Sequence, residues 1–192
     1  VNAFVAGGPN VFIYTGLIEE TENPGELAGV IAHELGHISA GHLIRLRQSF
    51  ENASYESLLG ALLGIGAAIA TGEGGVGAAV AAGTQNTAAR RFLSHSRVNE
   101  SSADQAALTY LQHAGLSAEG LVSFLGKLAD EDILPEGQQT EYVRTHPIGR
   151  NRINALEERA AQIQGDGSPY PPHWDEQHAR MKAKLTGYIH PE

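Results

Sequence analysis

The feature that most constrains this chain is the pentapeptide His33-Glu34-Leu35-Gly36-His37. At about 100° per residue, two histidines four positions apart on a helix lie within about 40° of each other, so both rings can reach one metal ion. Glu34 lies beside that face, where its carboxylate can take a proton from a water without binding the ion. Two imidazoles and a free carboxylate predict the Zn²⁺ site of a hydrolase.

A solvated helix face can carry the same residues by chance, so the surroundings of the pentapeptide matter. Residues 27–32, which precede it, are apolar or small. This run predicts a helix that packs inside the domain rather than on its surface. Because buried polar side chains cost free energy unless they are compensated, and a metal ion compensates them, the setting favours a zinc site.

Length and composition limit the class of protein. The 192 residues suffice for one domain with a full core, and two complete domains would be a tight fit. The net charge is −9, and no basic run exceeds Arg90-Arg91, so we expect no nucleic-acid partner. The absence of cysteine excludes a thiolate zinc site and a disulfide framework but fits both reducing and oxidising compartments. The start at Val1, without a signal-like segment, is expected of a processed form.

The N-terminal region predicts a strand pair followed by the motif helix. Asn2–Ala6 and Val11–Tyr14 are short apolar or β-branched runs separated by turn-forming residues, which predicts a β-hairpin. Asn23 to Glu26 predicts a helix start, with a capping Asn, a Pro in the first turn and a Glu three residues after the cap. We expect this helix to continue through the pentapeptide to about Gln48.

The segment 58–83 changes abruptly to Leu, Ala, Gly, Ile and Val. Its first apolar run, residues 58–70, has 13 residues and is too short to span a bilayer as a helix. We expect a helical hairpin, interrupted at 71–75, that packs against the motif helix. The alternative is a segment that touches a membrane surface or covers the active-site mouth; Glu73 and the weak membrane anchoring of Ala and Gly disfavour the membrane.

After the segment 58–83, we expect a polar connection up to Ser96 and then a helix that reaches about His113. Two carboxylates four residues apart, Glu100 and Asp104, lie near the start of this helix. A solvated acidic face near a helix start would show the same spacing. However, a zinc site of this type takes its third ligand from a separate helix, and a carboxylate is usual. Glu100 is therefore the candidate ligand, and Asp104 is the candidate acceptor for the free ring nitrogen of a zinc histidine.

The C-terminal part predicts three further helices, over about 117–129, 150–164 and 174–188. A Pro- and Gly-rich stretch, 165–172, predicts an exposed linker. We place a boundary there, with a catalytic domain over 1–164 and a linker and C-terminal helix over 165–192. Histidines without a partner at ligand spacing are expected at the surface or in linkers: His42, His95, His113, His173, His178 and His190.

Four motifs in this order resemble the M48 family of zinc metallopeptidases, and the resemblance covers most of residues 1–153. They are Asn2-Ala3-Phe4 with Gly7-Gly8, Ala32 with His33 to His37, Glu100-x-x-Ala103-Asp104 after Ser96-Arg97, and His146-Pro147 with Arg152-Ile153. The resemblance implies an α+β, mainly α fold of the gluzincin type, with a small sheet or hairpin packed on the motif helix. It also implies one Zn²⁺ per chain on His33, His37 and Glu100, with Glu34 as general base.

The branch that the chain resembles most is the soluble periplasmic one of the outer-membrane quality-control type, whose protease domain is followed by tetratricopeptide repeats. This implies a periplasmic endopeptidase for misfolded or misassembled polypeptides, with a link to outer-membrane assembly machinery. Peripheral membrane contact would involve 58–83. The alternative from another class is a zinc-stabilised chaperone or assembly factor whose peptidase activity is latent or incidental.

His146 has three interpretations at this point. It could stabilise the oxyanion that develops during peptide hydrolysis, occupy the open zinc position and hold the enzyme latent, or serve a structural role. We expect the substrate to bind extended, as an added strand on the sheet formed by residues 2–14.

Overall fold

Residues 1–42, 60–65, 67–163 and 170–190 are described by a computed structural model. They form two compact units, one of Val1–Ala40 with Glu100–Glu192 and one of Gly41–Asn99. All residues predicted for the metal site belong to the first unit. The fold is mainly helical with one two-stranded sheet, as predicted.

The predicted N-terminal hairpin is present. Strand β1 (Ala3–Ala6) pairs antiparallel with β2 (Asn10–Ile13), from Ala3 opposite Ile13 to Ala6 opposite Asn10. The turn between the strands uses two glycines with positive φ, Gly7 at 63° and Gly8 at 101°, a conformation that side chains with a Cβ disfavour. Both strands contact the motif helix, so the hairpin packs where the sequence places it.

The motif helix starts as predicted but ends earlier. After α1 (Thr15–Glu20), helix α2 spans Pro24–Ser39, and the Asn23 side chain caps it by accepting a hydrogen bond from the Glu26 N–H at 3.1 Å. The prediction of one helix to about Gln48 is wrong, because Ala40 is the C-cap and Gly41 adopts a φ of +65°. A left-handed glycine at this position is a common helix stop.

Helix α3 spans Gly74–His113. The connection predicted before Ser96 is wrong, since the backbone there is helical. The predicted end near His113 is confirmed, with Gly115 at a φ of +69°. Within the second unit, residues 60–65 and 67–71 are also helical, and the predicted interruption falls at Gly72 (φ +73°) and Glu73. The packing of 58–83 against the motif helix stays a prediction.

The remaining predicted helices are present within one or two residues of the expected bounds. They are α4 (Glu119–Leu128), α6 (Arg150–Ile163) and α7 (His173–Ile189). Two 3₁₀ turns, Ala129–Ile133 and Glu136–Gln138, and a short helix α5 (Glu141–Thr145) connect α4 to α6. Most of the predicted linker lies outside the described residues, and the boundary at 164/165 stays a prediction.

Close helix packing in the first unit depends on glycine. A Cβ at Gly29 of α2 would lie 2.7 Å from the Leu121 backbone, and one at Gly120 would lie 2.1 Å from the Gly25 carbonyl carbon. Helices α2 and α4 therefore approach backbone to backbone around a core that includes Val30, Leu121 and Phe124. Among the described residues, no helix is both long and apolar enough to cross a membrane.

Candidate metal centre

Three predicted ligands converge in the first unit, two from α2 and one from α3. The Nε2 atoms of His33 and His37 are 3.0 Å apart. Glu100 Oε2 lies 3.3 Å from His33 Nε2, and Glu100 Oε1 lies 3.4 Å from His37 Nε2. His33 and Glu100 are buried, and His37 is partly buried.

The spacing of these atoms fits one metal ion. Donors bound tetrahedrally at about 2.0–2.1 Å lie about 3.3 Å from each other, and the three observed separations cluster around that value. The separations involve two imidazole nitrogens and both oxygens of Glu100, and these donor types are chemically suited to a divalent ion. The donor set therefore suggests a metal ion at this point.

His146 joins the same cluster from the C-cap of α5. Its Nδ1 lies 3.3 Å from Glu100 Oε2, and its Nε2 lies 3.3 Å from the Ala3 carbonyl oxygen. One ligand atom from each of His33, His37, Glu100 and His146 lies within 4.8 Å of the others. His146 is thus close enough to act either on the ion or on a substrate beside it.

Glu34 lies next to this cluster and is only 1% exposed. Its Oε1 has no hydrogen-bond partner among the described residues, and His146 Nε2 lies 3.5 Å from it. Burial raises the pKa of Glu34, although the nearby charges of His146 and His33 oppose the shift. A buried carboxylate with an unused acceptor and a raised pKa is suited to proton transfer.

Asp104 and Arg152 hold the outer side of His33. Asp104 Oδ1 lies 2.9 Å from His33 Nδ1, the nitrogen that faces away from the ligand cluster. Arg152 donates to both Asp104 oxygens, from Nε at 2.6 Å and from Nη2 at 2.8 Å. Arg152 Nη1 also lies 2.9 Å from Glu100 Oε2 and donates to the Pro147 carbonyl at 3.0 Å. These contacts fix the His33 ring and link it to the Glu100 carboxylate.

Charge pairing keeps this buried cluster ionised. Burial alone would lower the pKa of His33, but hydrogen bonding to Asp104 and Glu100 raises it to about 9. Burial alone would raise the pKa of Glu100, but His146, His33 and Arg152 hold it well below its usual range. The site thus holds Glu100 as an anion, the form that binds a metal.

The family assignment follows from the comparison with known proteins. The family described as Peptidase family M48 matches residues 1–160. The chain belongs to peptidase family M48. This family and the donor set described above support a metalloprotease.

Its M48 relatives carry protease names. The chain is 29% identical over 187 residues to the beta-barrel assembly-enhancing protease of Yersinia pestis, covering 97% of this chain and 37% of that protein. It is 30% identical over 163 residues to the protein of the same name from Escherichia coli K12, covering 85% and 33%. The metalloprotease YcaL of Escherichia coli K12 is 29% identical over 162 residues, covering 84% and 59%. The chain thus spans about a third of the length of the first two relatives.

Two residues of this M48 site had no assigned role in the sequence interpretation. Arg152 belongs to the His-Pro motif, but the motif does not predict its contact with Asp104. That contact forms only when α6 packs near α3. Tyr142 lies one turn before His146, fully buried, with ring centroids 4.7 Å apart. No sequence signal distinguishes Tyr142 from an ordinary core aromatic residue.

A third missed residue, Gly36, lies inside the M48 pentapeptide. A Cβ at Gly36 would lie 2.6 Å from the Ala103 carbonyl oxygen. The glycine therefore lets α3 approach α2 closely enough for Glu100 to meet both histidines. The position between Leu35 and His37 carries no chemistry but sets the distance between the two helices.

Two histidines expected at the surface are buried instead. His42, which directly follows Gly41, is buried. His178 is buried on α7, with Nε2 2.8 Å from Thr21 Oγ1. The exposure expected for His113, His173 and His190 is confirmed, and the side chain of His95 lies outside the described residues.

Proposed function

We propose that this M48 protein is a zinc-dependent endopeptidase in which His33, His37 and Glu100 hold one Zn²⁺ per chain. The observation that carries the proposal is the convergence of these three donors, with separations of 3.0–3.4 Å, beside the buried Glu34. Two imidazoles and one carboxylate are a donor set that catalytic zinc uses in peptidases, with a further position left for water or substrate.

Glu34 is the proposed general base. A bound zinc ion supplies Lewis-acid polarisation of the attacking water and of the scissile carbonyl. Glu34 accepts the proton of that water as its oxygen attacks the carbonyl carbon, and then delivers the proton to the amine nitrogen as the C–N bond breaks. Its raised pKa suits both steps, because the carboxylate must gain a proton and lose it again.

Asp104 and Arg152 are proposed to position the ligands. Asp104 accepts from His33 Nδ1 and directs Nε2 toward the ion. Arg152 holds Asp104 at two points and also contacts Glu100, which limits the orientations open to the Glu100 carboxylate. We infer that neither residue binds the ion or the substrate directly.

The substrate is proposed to bind as a strand on the outer edge of β1. The Tyr14 N–H donates to the Asn2 carbonyl, so β1 residues with even numbers bond to β2, and Ala3 and Val5 direct their N–H and C=O groups away from it. The outward Ala3 carbonyl lies 3.3 Å from His146 Nε2. This edge therefore borders the ligand cluster, where an extended peptide would present its backbone for hydrolysis.

His146 keeps two functional interpretations. Its contact with the Ala3 carbonyl and its proximity to Glu34 support oxyanion stabilisation beside the substrate. Its place in the four-residue ligand cluster supports a latent form in which it occupies the open metal position. With His146→Ala, we expect cleavage of an unfolded protein to fall several-fold in the first case and to rise several-fold in the second. Unchanged cleavage would contradict both.

The proposed activity is tested by cleavage of a reduced, alkylated protein. We expect the zinc-loaded chain or its His146→Ala variant to produce fragments, chelation to stop cleavage, and Zn²⁺ to restore it. Fragments should have new termini at internal sites, as an endopeptidase requires. Absence of cleavage by both zinc-loaded proteins would overturn the proposal.

The biological setting is proposed from the names of the relatives, which refer to β-barrel assembly. We propose that the substrates are misfolded or misassembled polypeptides in the periplasm, with a link to outer-membrane assembly machinery. Periplasmic and cytoplasmic fractions of a cell producing the native protein, probed with an antibody to this chain, would test the location.

A second candidate function is a zinc-stabilised chaperone or assembly factor. It is favoured by the large apolar side chains that the helical residues 60–65 and 67–71 expose, namely Leu62, Leu63, Ile65 and Ile69. If a Glu34→Gln protein prevents aggregation of an unfolded client, this function gains support. Membrane-surface contact by 58–83 is tested separately by co-sedimentation with liposomes, in which the protein would stay in the supernatant if the contact does not exist.

A further inference from the structure

The outer face of the hairpin carries three aromatic side chains, and the central one, Phe4, contacts the other two. The rings of Phe4 and Phe12 stack with centroids 5.1 Å apart and planes 14° apart. Tyr14 meets Phe4 edge-on at 5.8 Å. Phe12 is 46% exposed and Tyr14 is 45% exposed. Large aromatic groups that stay in water on a two-stranded sheet suggest a surface that meets another molecule.

The strand register shows where this face continues. Phe4 and Phe12 are directly opposite each other, so they form one cross-strand pair on the face away from Ala3, which is fully buried. The other neighbour of Phe4 would be a residue on a strand added to the outer edge of β1. Side chains of directly paired residues lie on the same face, so that residue would stand next to the Phe4 ring.

The outer edge of β1 is available for such a strand beyond Ala3. Among the described residues, the outward N–H and C=O of Val5 have no backbone partner, whereas the Ala3 carbonyl faces His146. Val5 is adjacent to Phe4, so a strand that bonds to the outward groups of Val5 places its neighbouring residue opposite Phe4. The aromatic face is thus continuous with the edge proposed to hold the substrate.

We propose that Phe4 is a specificity-determining residue that selects substrates with an aromatic or large apolar residue opposite it, extending the aromatic row from Phe12 through Phe4 to the substrate. The proposal rests on the proposed endopeptidase function and its edge-strand binding mode. If Phe4 selects in this way, the preferred substrates are extended segments that carry exposed aromatic or large aliphatic residues. Folded proteins bury such residues, and misfolded proteins expose them.

Strand geometry gives the preference a distinctive pattern. Moving one residue along the substrate turns its side chain to the opposite face, whereas residues two positions away lie on the same face at about 7–8 Å. A phenylalanine moved stepwise along a polar peptide should therefore help most at one position, less at two positions to either side, and not at the adjacent positions. From the usual strength of aromatic pairs, we expect a preference of about two- to tenfold over serine.

The experiment uses a set of peptides of one length, each with a single phenylalanine at a different position in a Ser- and Ala-containing frame. Cleavage is measured as kcat/KM with the zinc-loaded chain, and binding is measured with the zinc-loaded Glu34→Gln protein. The same set is applied to Phe4→Ser and, as a milder variant, Phe4→Leu. Within each protein, we divide the value for the best peptide by the value for the peptide whose phenylalanine is one position away. This ratio does not depend on the fraction of the protein that is folded.

We expect the ratio to collapse toward one in Phe4→Ser and to stay partly intact in Phe4→Leu, which keeps an apolar side chain. Tyr188→Ser is the matched control, because Tyr188 is an aromatic residue that is 78% exposed on α7; its profile should equal that of the unchanged chain. A flat profile in the binding measurement, or a peak that persists in Phe4→Ser, would overturn the proposal. Absence of cleavage alongside a peaked binding profile would count against the endopeptidase function while supporting the aromatic selection.

Discussion

Two buried glutamates on the same helix, eight residues apart, differ in a way that separates a structural acid from the proposed general base. Glu26 lies in the first turn of α2 and is 0% exposed; Glu34 lies in the third turn and is 1% exposed. Burial alone does not distinguish them. Their hydrogen bonds do, because the two carboxylates differ in how many of their acceptor positions are used.

Glu26 is satisfied on both oxygens. Its Oε1 accepts from Ser123 Oγ at 2.9 Å, and its Oε2 accepts from the Glu22 N–H at 2.8 Å and from Lys127 Nζ at 2.7 Å. It lies near the positive end of the helix dipole and ties α2 to α4. Such a network stabilises one arrangement and leaves no position for chemistry.

Glu34 has an unused acceptor beside the ligand cluster, where it is also desolvated. Among the described residues, Glu34 is the one buried carboxylate with an oxygen that has no hydrogen-bond partner, and leaving such an oxygen unpaired costs free energy. Incomplete hydrogen bonding, rather than burial, therefore distinguishes the acid that we propose to react. Four predictions test this difference, from the largest expected effect to the smallest.

The largest effect is expected for Glu34→Gln. Loss of the proton acceptor should lower kcat for an unfolded-protein substrate by about 10²–10⁴-fold. The free energy of unfolding should change by less than about 1 kcal/mol, because the amide keeps the shape and no hydrogen bond is lost at Oε1. Zinc content, measured by atomic absorption, should remain one per chain, and turnover near that of the unchanged chain would contradict the assigned role.

The metal-free protein should lose stability as pH rises. His33 has its pKa raised from 6.5 to about 9, so its protonation stabilises the folded state fully below about pH 6.5, and this contribution disappears as pH increases through 9. The difference amounts to roughly 3 kcal/mol. Denaturant unfolding of chelated protein between pH 6 and 10 measures it, and zinc-loaded protein is the control, since a ligated His33 is neutral throughout. An unfolding free energy of chelated protein that stays constant over this range would contradict the pairing of His33 with Asp104 and Glu100.

Glu26→Gln is the matched counterpart of Glu34→Gln. It removes the charge that pairs with Lys127, so the free energy of unfolding should fall by roughly 2–3 kcal/mol. This decrease in the free energy of unfolding is small for the loss of one partner of a buried ion pair, because Lys127 retains some access to water. The kcat per folded molecule should not change. A large fall in kcat without loss of stability would mean that Glu26 also takes part in the reaction.

The smallest effect is expected for Tyr142→Phe. The Tyr142 hydroxyl is buried without a hydrogen-bond partner among the described residues, and burial raises its pKa well above the usual value. Removing this group should leave the free energy of unfolding unchanged or raise it by up to about 1 kcal/mol. Thermal and denaturant unfolding measure this, and a loss above 1 kcal/mol would reveal a hydrogen bond that stabilises the fold.

Local chemistry explains why the sequence predicts so much of the first unit. The hairpin follows from β-branched runs around two glycines, and the start of α2 follows from the Asn23 cap and Pro24, because these signals act over a few residues. The metal motif follows from helical spacing, and the choice of Glu100 follows from the ligand set that such sites need together with the family resemblance. Local signals failed where a helix ends or continues, at Gly41 and before Ser96, because the sequence allows either outcome at these positions.

The sequence by itself therefore predicted most of the helices and strands, the candidate metal donors and the family. The tertiary structure decided which of the two glutamates on α2 has hydrogen-bond partners on both oxygens and which histidines are buried. It also decided that Arg152 donates to both oxygens of Asp104 and that Gly36 sets the distance between α2 and α3. These properties depend on contacts between residues far apart in sequence, such as Arg152 with Asp104, 48 positions apart, and His178 with Thr21, 157 positions apart. No local spacing rule encodes such contacts, because they form only when the helices pack.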